Sequence, residues 1–207
     1  IEAGLGFRHE RIAENSREWE YRDSSGYSMP HNPEALEVIY NLRSNNSISS
    51  NHLEMYIQDT WRRETSNSIF SLNYGLRMSH WSWNKEWLFS PRASLTYIPK
   101  NHDNMTIRLA TGLYYQRPFY KELRDTITNG ATTIVQLNKD IQSQRSFQVI
   151  AGYEYRFKLG KRPFLFSTEL YYKAQDRLNP YTVDNTKIVY YGRNCATGNV
   201  MGADFKL

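Results

Sequence analysis

The sequence predicts an all-β fold built from long antiparallel strands. From Phe147 to Lys158, apolar residues alternate with polar and charged ones, which is the two-residue period of a strand with two different faces. The same period recurs along the chain, and no segment has the period of an amphipathic helix of useful length. The apolar face is rich in aromatic residues at strand ends, and the other face carries charges of both signs. A membrane barrel turns such an apolar face to lipid and lines a wet lumen with the charged face.

The period places about eight strands of about ten or more residues each. Long alternations run through 70–79, 87–97, 105–116, 147–158 and 164–173. Weaker ones begin at Ala3, Leu53 and Met201. Because Ile1 and Leu207 both lie within such patterns, we expect residues 1–207 to be an internal part of a longer barrel, seen as an open curved sheet.

The connections between these strands alternate in length. Long polar connections are predicted at 22–50, 117–143 and 175–195, short ones at 64–67, 99–104 and 159–163, and a tight link at 84–86. Outer-membrane barrels have short periplasmic turns and longer extracellular loops. We therefore assign Glu64, Asn101 and Gly160 to the periplasmic side, and the exterior to Asp23, Asn84, Asp125 and Asn179.

Charge placement is consistent with this sidedness. Charged strand residues fall on the predicted lumen face: Arg8, Glu54, Arg77, Arg92, Arg108, Glu154, Arg156, Glu169, Lys173 and Asp204. Asp59 and Arg63 are exceptions near the periplasmic end, where a lipid-facing charge costs least.

Composition narrows the class of protein. A mean hydropathy of −0.71 and the lack of a run of about 20 apolar residues exclude a helical membrane protein. Aromatic residues make up 14%, with 16 Tyr and 5 Trp, as expected for rings at both membrane interfaces. We predict such interface positions for Trp61, Trp81, Trp83, Trp87 and Tyr97. The single cysteine, Cys195, excludes an internal disulfide framework.

Several functional classes have little support in the residues. The net charge is +5, but Lys and Arg are not clustered into a stripe, so we expect no nucleic-acid partner. The five histidines are scattered without metal-ligand spacing, and we expect neither a metal nor a cofactor. No constellation indicates catalysis, and we expect no enzymatic activity.

Candidate ligand-binding residues lie on the long exterior connections, where rings and cations occur together. Rings can stack on sugars or chelators, and arginines can pair with anionic solutes. The alternative role for these residues is loop packing and contact with lipopolysaccharide phosphates. The candidates are Tyr114, Arg117, Phe119, Tyr120, Arg124, Tyr181, Tyr190, Tyr191 and Arg193.

Four segments resemble TonB-dependent outer-membrane receptors. They are Tyr56–Arg62, Leu88–Tyr97, Arg108–Pro118 and Gly198–Phe205, and their order and spacing extend the resemblance over essentially the whole chain. It implies a partial barrel domain at 1–207, about eight strands of a 22-stranded barrel. The plug domain, the TonB box and the closing strands are then outside this chain.

The resemblance further implies a Gram-negative outer-membrane location and active uptake of a scarce small solute or metal chelate. Extracellular loops bind the solute, and the TonB complex supplies energy through the plug. Partners are then outer-membrane lipid and lipopolysaccharide, with a surface lipoprotein left open. Two alternatives stand beside this hypothesis: a passive porin or other outer-membrane barrel, and a soluble all-β binding module.

Overall fold

A computed structural model describes residues 1–21, 38–129, 132–184 and 187–207. Two short 3₁₀ helices, Lys100–His102 and Tyr120–Leu123, lie between strands. Among the described residues, no helix is long and apolar enough to cross a membrane. The strands are β1 Glu2–Tyr21, β2 Val38–Glu64, β3 Ser68–Trp81, β4 Glu86–Pro99, β5 Met105–Gln116, β6 Arg124–Asn129, β7 Thr132–Leu137, β8 Gln144–Leu159, β9 Arg162–Leu178, β10 Tyr181–Asp184, β11 Lys187–Tyr190 and β12 Ala196–Lys206.

Eight long strands form one antiparallel sheet, which confirms the predicted fold class. They pair in chain order as β1, β2, β3, β4, β5, β8, β9 and β12. The short hairpin β6–β7 joins this sheet, and the hairpin β10–β11 forms a small sheet of its own. Since β1 and β12 do not pair with each other in the described part, the curved sheet is open.

The long connections contain more regular structure than the sequence indicated. Residues 38–50, predicted to be part of a long connection, belong to β2, because they pair with β1 in a ladder that is unbroken as far as Tyr40. The 117–143 connection contains β6–β7, and the 175–195 connection begins with the end of β9 and contains β10–β11. The position assigned to Asp23 lies outside the described residues.

The two faces of the sheet have the predicted polarity. Outer-face side chains stay exposed, as shown by Leu5 at 74% and Phe7 at 69%, and no second sheet covers them in the described part. Near the short turns Phe70 packs on Tyr97 with 4.9 Å between ring centroids, and at the other end His80 packs on Trp87 at 4.5 Å. An uncovered apolar face with rings at both ends is the outer surface of a membrane barrel, not half of a soluble sandwich core.

Two tryptophans differ from the predicted interface positions. Trp61 and Trp87 are exposed on the outer face as expected. Trp81 is only 5% exposed and points to the concave face, where its indole N–H donates to the Ser50 hydroxyl at 3.2 Å. Trp83 is half-buried and packs near Trp81, with the Lys139 ammonium 5.0 Å from its ring centroid. The predicted membrane-interface position is therefore wrong for these two residues. Trp81 belongs to a buried apolar cluster beneath the long connections, and Trp83 packs against that cluster.

The buried apolar side chains of the described chain lie toward the end of the sheet that is predicted to be extracellular. One cluster comprises Ile48, Trp81, Leu123 and Ile141. It forms because β2 continues past the end of β3, and β7 pairs with this extension in parallel, Asn41–Arg43 against Thr132–Ile134. The apolar core therefore lies beneath the long connections, where it shields the extended part of β2 from water.

Candidate functional site

Ion pairs cover the concave face of the sheet. Arg77 and Arg117 both contact the Glu54 carboxylate, Arg117 at 3.4 Å. On the neighbouring strands Arg108 donates to Glu154 at 2.9 Å. Each pair joins different strands or a strand and a loop, so the wall presents a neutralised, hydrated surface rather than isolated charges.

A hollow of about 640 Å³ lies in the lower part of this wall. Its lining is mostly polar and includes Gln58, Asn73, Arg77 and Ser94. Tyr114, one of the predicted ligand-binding residues, also borders it, with the Arg92 guanidinium 4.5 Å from its ring centroid. A cation over a ring face fixes both side chains along the wall.

A second cavity, of about 550 Å³, lies above the first, at the extracellular end of the concave face. It brings together three of the predicted residues, Arg117, Phe119 and Tyr120, which the sequence placed only on the same connection. Trp81, Arg8 and Lys121 add to its aromatic and cationic lining. Rings and guanidinium groups in one concave site can hold a planar or anionic solute.

A hydrogen-bond relay crosses the wall of this upper cavity. Arg117 donates to Nδ1 of His52, and Nε2 of His52 contacts the Glu10 carboxylate at 2.9 Å. A guanidinium has no acceptor, so His52 accepts through Nδ1 and donates through Nε2–H, which is its neutral form. The His52 ring also stacks on Trp81 at 5.9 Å between centroids. The relay therefore holds Arg117 and Trp81 in fixed positions beside the cavity.

The Glu14 carboxylate anchors the loop around Tyr120, which lines the upper cavity. It accepts hydrogen bonds from Tyr120 and from Ser44 at 2.7 Å, and Arg124 lies 3.6 Å away. Burial and the hydrogen bond to Glu14 raise the pKa of Tyr120 to about 12, so this phenol stays protonated. One β1 side chain thus holds the start of the β6–β7 hairpin.

Asparagine side chains join the two long connections into one unit, here called the extracellular cap (described residues 117–129, 132–143, 179–184 and 187–195). Asn138 donates to the Gly192 carbonyl at 3.1 Å, and Asn179 to the Glu122 carbonyl at 3.3 Å. Asn194 accepts from the Gln142 amide N–H at 2.8 Å and donates to the Gln142 carbonyl at 3.0 Å.

Glu86, at the start of β4, fixes the cap to the barrel. It accepts from the Ser143 amide at 3.0 Å and from the Ser143 hydroxyl at 2.6 Å. The cap is therefore attached to the sheet through both β1 and β4.

The structure separates the nine predicted residues into distinct settings. Tyr120 and Arg124 hold the cap through Glu14, whereas Phe119 is exposed at the upper cavity. Tyr114 borders the lower hollow, and Arg117 lines the upper cavity. The remaining four lie on or beside the β10–β11 hairpin, where Tyr181 meets Tyr190 edge-on at 5.8 Å and Tyr191 and Arg193 are exposed. Their binding of a ligand stays a prediction.

Sequence reasoning missed the carboxylates that organise the site, Glu14, Glu86 and Glu122. Glu122 is buried within the cap and accepts from the Phe119 amide at 3.0 Å and from Gln144 at 3.3 Å. The one signal for Glu14 was its position on the inward face of a strand that continues beyond the apolar band. The described residues hold no group of three or more His, Cys, Asp or Glu placed to bind a metal ion.

An open sheet with an apolar outer face, an ion-paired concave face and a cap at one end has the form of a large barrel segment. The profile of the family "TonB dependent receptor-like, beta-barrel" matches residues 2–207. The chain belongs to this family. Curated proteins compared with the chain gave no match.

As a TonB-dependent receptor-like barrel, the chain comes from an outer-membrane receptor and transport family. The family is generally found in the outer membrane of Gram-negative bacteria, and its members generally interact with TonB and take small solutes. Membership of this family explains why the two faces of the sheet differ in polarity: the outer face meets lipid, and the concave face lines the lumen.

Proposed function

We propose that this barrel segment acts in TonB-dependent import of a scarce solute, which the extracellular cap and the upper cavity bind first. The solute crosses the outer membrane along the concave wall without chemical change. The energy comes from the TonB complex, acting through a plug that lies against this wall in the whole receptor.

The observation that carries this proposal is the continuity of the concave face. Its upper cavity combines Trp81 and Phe119 with Arg8 and Arg117, and its lower hollow is lined by polar groups. Solute capture needs rings and cations at the entrance, whereas passage needs a hydrated surface with charges already paired. The order of these surfaces, from the cap to the short turns, fits capture followed by inward passage.

Depletion of solutes from a defined medium tests this proposal. A strain that lacks the full-length receptor should leave at least one solute unconsumed, and the restored receptor should remove it. Collapse of the inner-membrane proton gradient should stop this removal, because TonB-dependent transport needs that gradient.

The alternatives give different results. A passive porin continues to admit the solute after the gradient collapses, and an enzyme leaves a chemically altered product outside the cells. A soluble binding module does not float with liposomes. Any of these results contradicts active import.

A further inference from the structure

His52 is a buried titratable residue whose hydrogen bonds determine its charge. It is 3% exposed, and its ring stacks on Trp81 with the two planes 15° apart. Nε2 contacts the Glu10 carboxylate at 2.9 Å, and Nδ1 faces the Arg117 guanidinium. Because a guanidinium only donates, Nδ1 must offer its lone pair to Arg117. A proton on Nδ1 would set two donors against each other and break this hydrogen bond.

The charges around the ring make the same bond sensitive to that proton. Arg8 stands directly opposite His52 in the β1–β2 register, and like charges at facing positions repel. Glu10 is the one carboxylate that contacts the ring among the described ion pairs. The charged and titratable groups that line the cavity with His52 or bond Arg117 are Arg8 and Glu10 of β1, Glu54 of β2, and Arg117, Tyr120 and Lys121 of the 117–143 connection, with Arg77 of β3 behind Glu54.

Arg117 has a second acceptor on the same wall. Its Nη1 donates to His52, and its Nη2 donates to Oε1 of Glu54 at 3.4 Å. Arg77 uses the other carboxylate oxygen, Oε2, so the two arginines do not compete for one atom. Arg117 therefore has two positions open to it. In one it bridges His52 and Glu54, and in the other it is held by Glu54 alone.

We propose that His52 is a proton-controlled positioning residue of the upper cavity. The neutral imidazole holds Arg117 beside Trp81, and a proton taken from solvent onto Nδ1 releases Arg117 to Glu54. The Nε2–H bond to Glu10 stays intact, so one hydrogen bond is lost for one proton gained. A guanidinium binds through a planar fork of fixed geometry, and its displacement therefore weakens solute capture in acid. This inference concerns the capture site of the proposed function and rests on it.

Tryptophan fluorescence of the full-length receptor in detergent tests the proton on His52, since an imidazolium quenches an indole on which it stacks. The contribution of Trp81 is the difference between each protein and its Trp81→Phe counterpart, which removes any quenching of Trp87 by His80. This contribution should decrease between about pH 8 and pH 5, where imidazoles titrate. His52→Gln should abolish the decrease, because glutamine does not titrate.

Removal of the arginine tests its coupling to the proton and does not depend on the folding of a His52 variant. In Arg117→Gln the midpoint of the quench should move up by about one pH unit, because the proton no longer has to displace a donor. Lys121→Gln is the matched control, since it removes one cation from the same cavity and the same connection. Its midpoint should move much less, because the structure gives Lys121 no hydrogen bond to His52 among the described contacts.

Three results overturn this inference: no Trp81 quench that depends on His52, an unmoved midpoint in Arg117→Gln, or an equal shift in Lys121→Gln. Solute depletion by cells is then compared at about pH 7.5 and about pH 5.5. The acid rate should fall severalfold relative to the neutral rate in the natural receptor, and this ratio should approach one in His52→Gln. An equal ratio in both proteins also overturns the inference. Solute that is depleted at neither pH rejects the proposed function, whereas depletion without the quench rejects only the role of His52.

Discussion

At the scale of single residues, glycines on the concave face make room for their neighbours. A Cβ on Gly4 would lie 2.3 Å from the Tyr56 ring, and a Cβ on Gly202 would lie 2.3 Å from the Tyr171 hydroxyl oxygen. In both pairs the ring covers a glycine directly across the ladder, which protects the exposed backbone there. A tyrosine can swing away from an added methyl group, so these two contacts are adjustable.

Gly75 is different because its nearest neighbours are backbone atoms and the Cβ of Gln58, none of which can swing away. A Cβ at this position would lie 2.8 Å from the Ile57 carbonyl oxygen and 3.2 Å from Cα of Gln58. We expect Gly75→Ala to destabilise the full receptor by about 1–3 kcal/mol, because the strands must separate locally. Urea unfolding in detergent measures this difference.

Gly6→Ala is the matched control for that substitution. Gly6 also lies on the concave face, and the nearest atoms to its Cβ would be 4.0 Å away. It should cost no more than a few tenths of a kcal/mol, or slightly stabilise the strand. Equal losses in the two variants would show that close backbone approach is not the cause.

At the scale of elements, the extracellular cap depends on a few carboxylates instead of a large apolar core. Glu14 is the acceptor shared by Tyr120 and Ser44 and lies beside Arg124, whose Nε is buried without a hydrogen-bond partner in the described chain. The parallel contact between β2 and β7 spans three residue pairs. The β6–β7 hairpin is therefore an attached element that can loosen while the long strands stay paired.

We predict that Glu14→Gln loosens this hairpin by about 1–3 kcal/mol, because Arg124 loses its carboxylate and two donors lose a charged acceptor. Limited proteolysis of the full receptor should cut residues 124–137 faster in the variant. Glu18→Gln, on the same strand and face, is the control: the Ser16 hydroxyl donates to it at a long 3.4 Å. Unchanged cleavage in Glu14→Gln would mean that the apolar cluster alone holds the hairpin.

Glu122 makes the cap sensitive to pH. Burial raises the pKa of this carboxyl, and the Phe119 amide opposes the shift only in part. The folded cap therefore prefers the protonated acid, so its stability increases as pH falls from neutral through the raised pKa. The gain is complete below the ordinary glutamate pKa of 4.5 and is lost as pH rises through the folded value.

Hydrogen exchange, corrected for its intrinsic pH dependence, measures this effect at the Asn138 amide, which donates to the Leu123 carbonyl at 2.7 Å. Protection should grow toward acid in the natural receptor. Glu122→Gln should remove that trend, because glutamine does not titrate. A trend that persists in Glu122→Gln would assign the pH dependence to another group.

At the scale of the whole molecule, the two faces of the sheet determine where the barrel can reside. Leu109 is 49% exposed on the outer face of β5, and Ala110 follows it on the concave face. We predict that Leu109→Arg costs about 2–4 kcal/mol of stability in the membrane, since its charge meets lipid near the middle of the strand. Ala110→Arg places the same charge against the hydrated wall and should cost much less.

Heat-dependent mobility on gels, which separates folded from unfolded barrels, measures assembly of both variants. Folded receptor should decrease strongly for Leu109→Arg only. Similar assembly of the two variants would contradict the assignment of lipid and lumen faces.

The sequence by itself determined the strands and their two faces, and it predicts their direction across the membrane. These follow from a two-residue period and from connection lengths, both of which are local properties. Arg77, Arg108 and Glu154 could be assigned to the lumen face from parity alone. Their ion-pair partners could not, since pairing depends on the register between strands.

Only the tertiary structure decided what the long connections do. Trp81 looks like an interface residue in a strand pattern, and 38–50 looks like a polar loop. The first is buried because the cap packs over the ends of the strands, and the second is paired because β1 extends beside it in a continuous register. Contacts such as Tyr120 with Glu14 join residues far apart in the chain, and no local pattern encodes them.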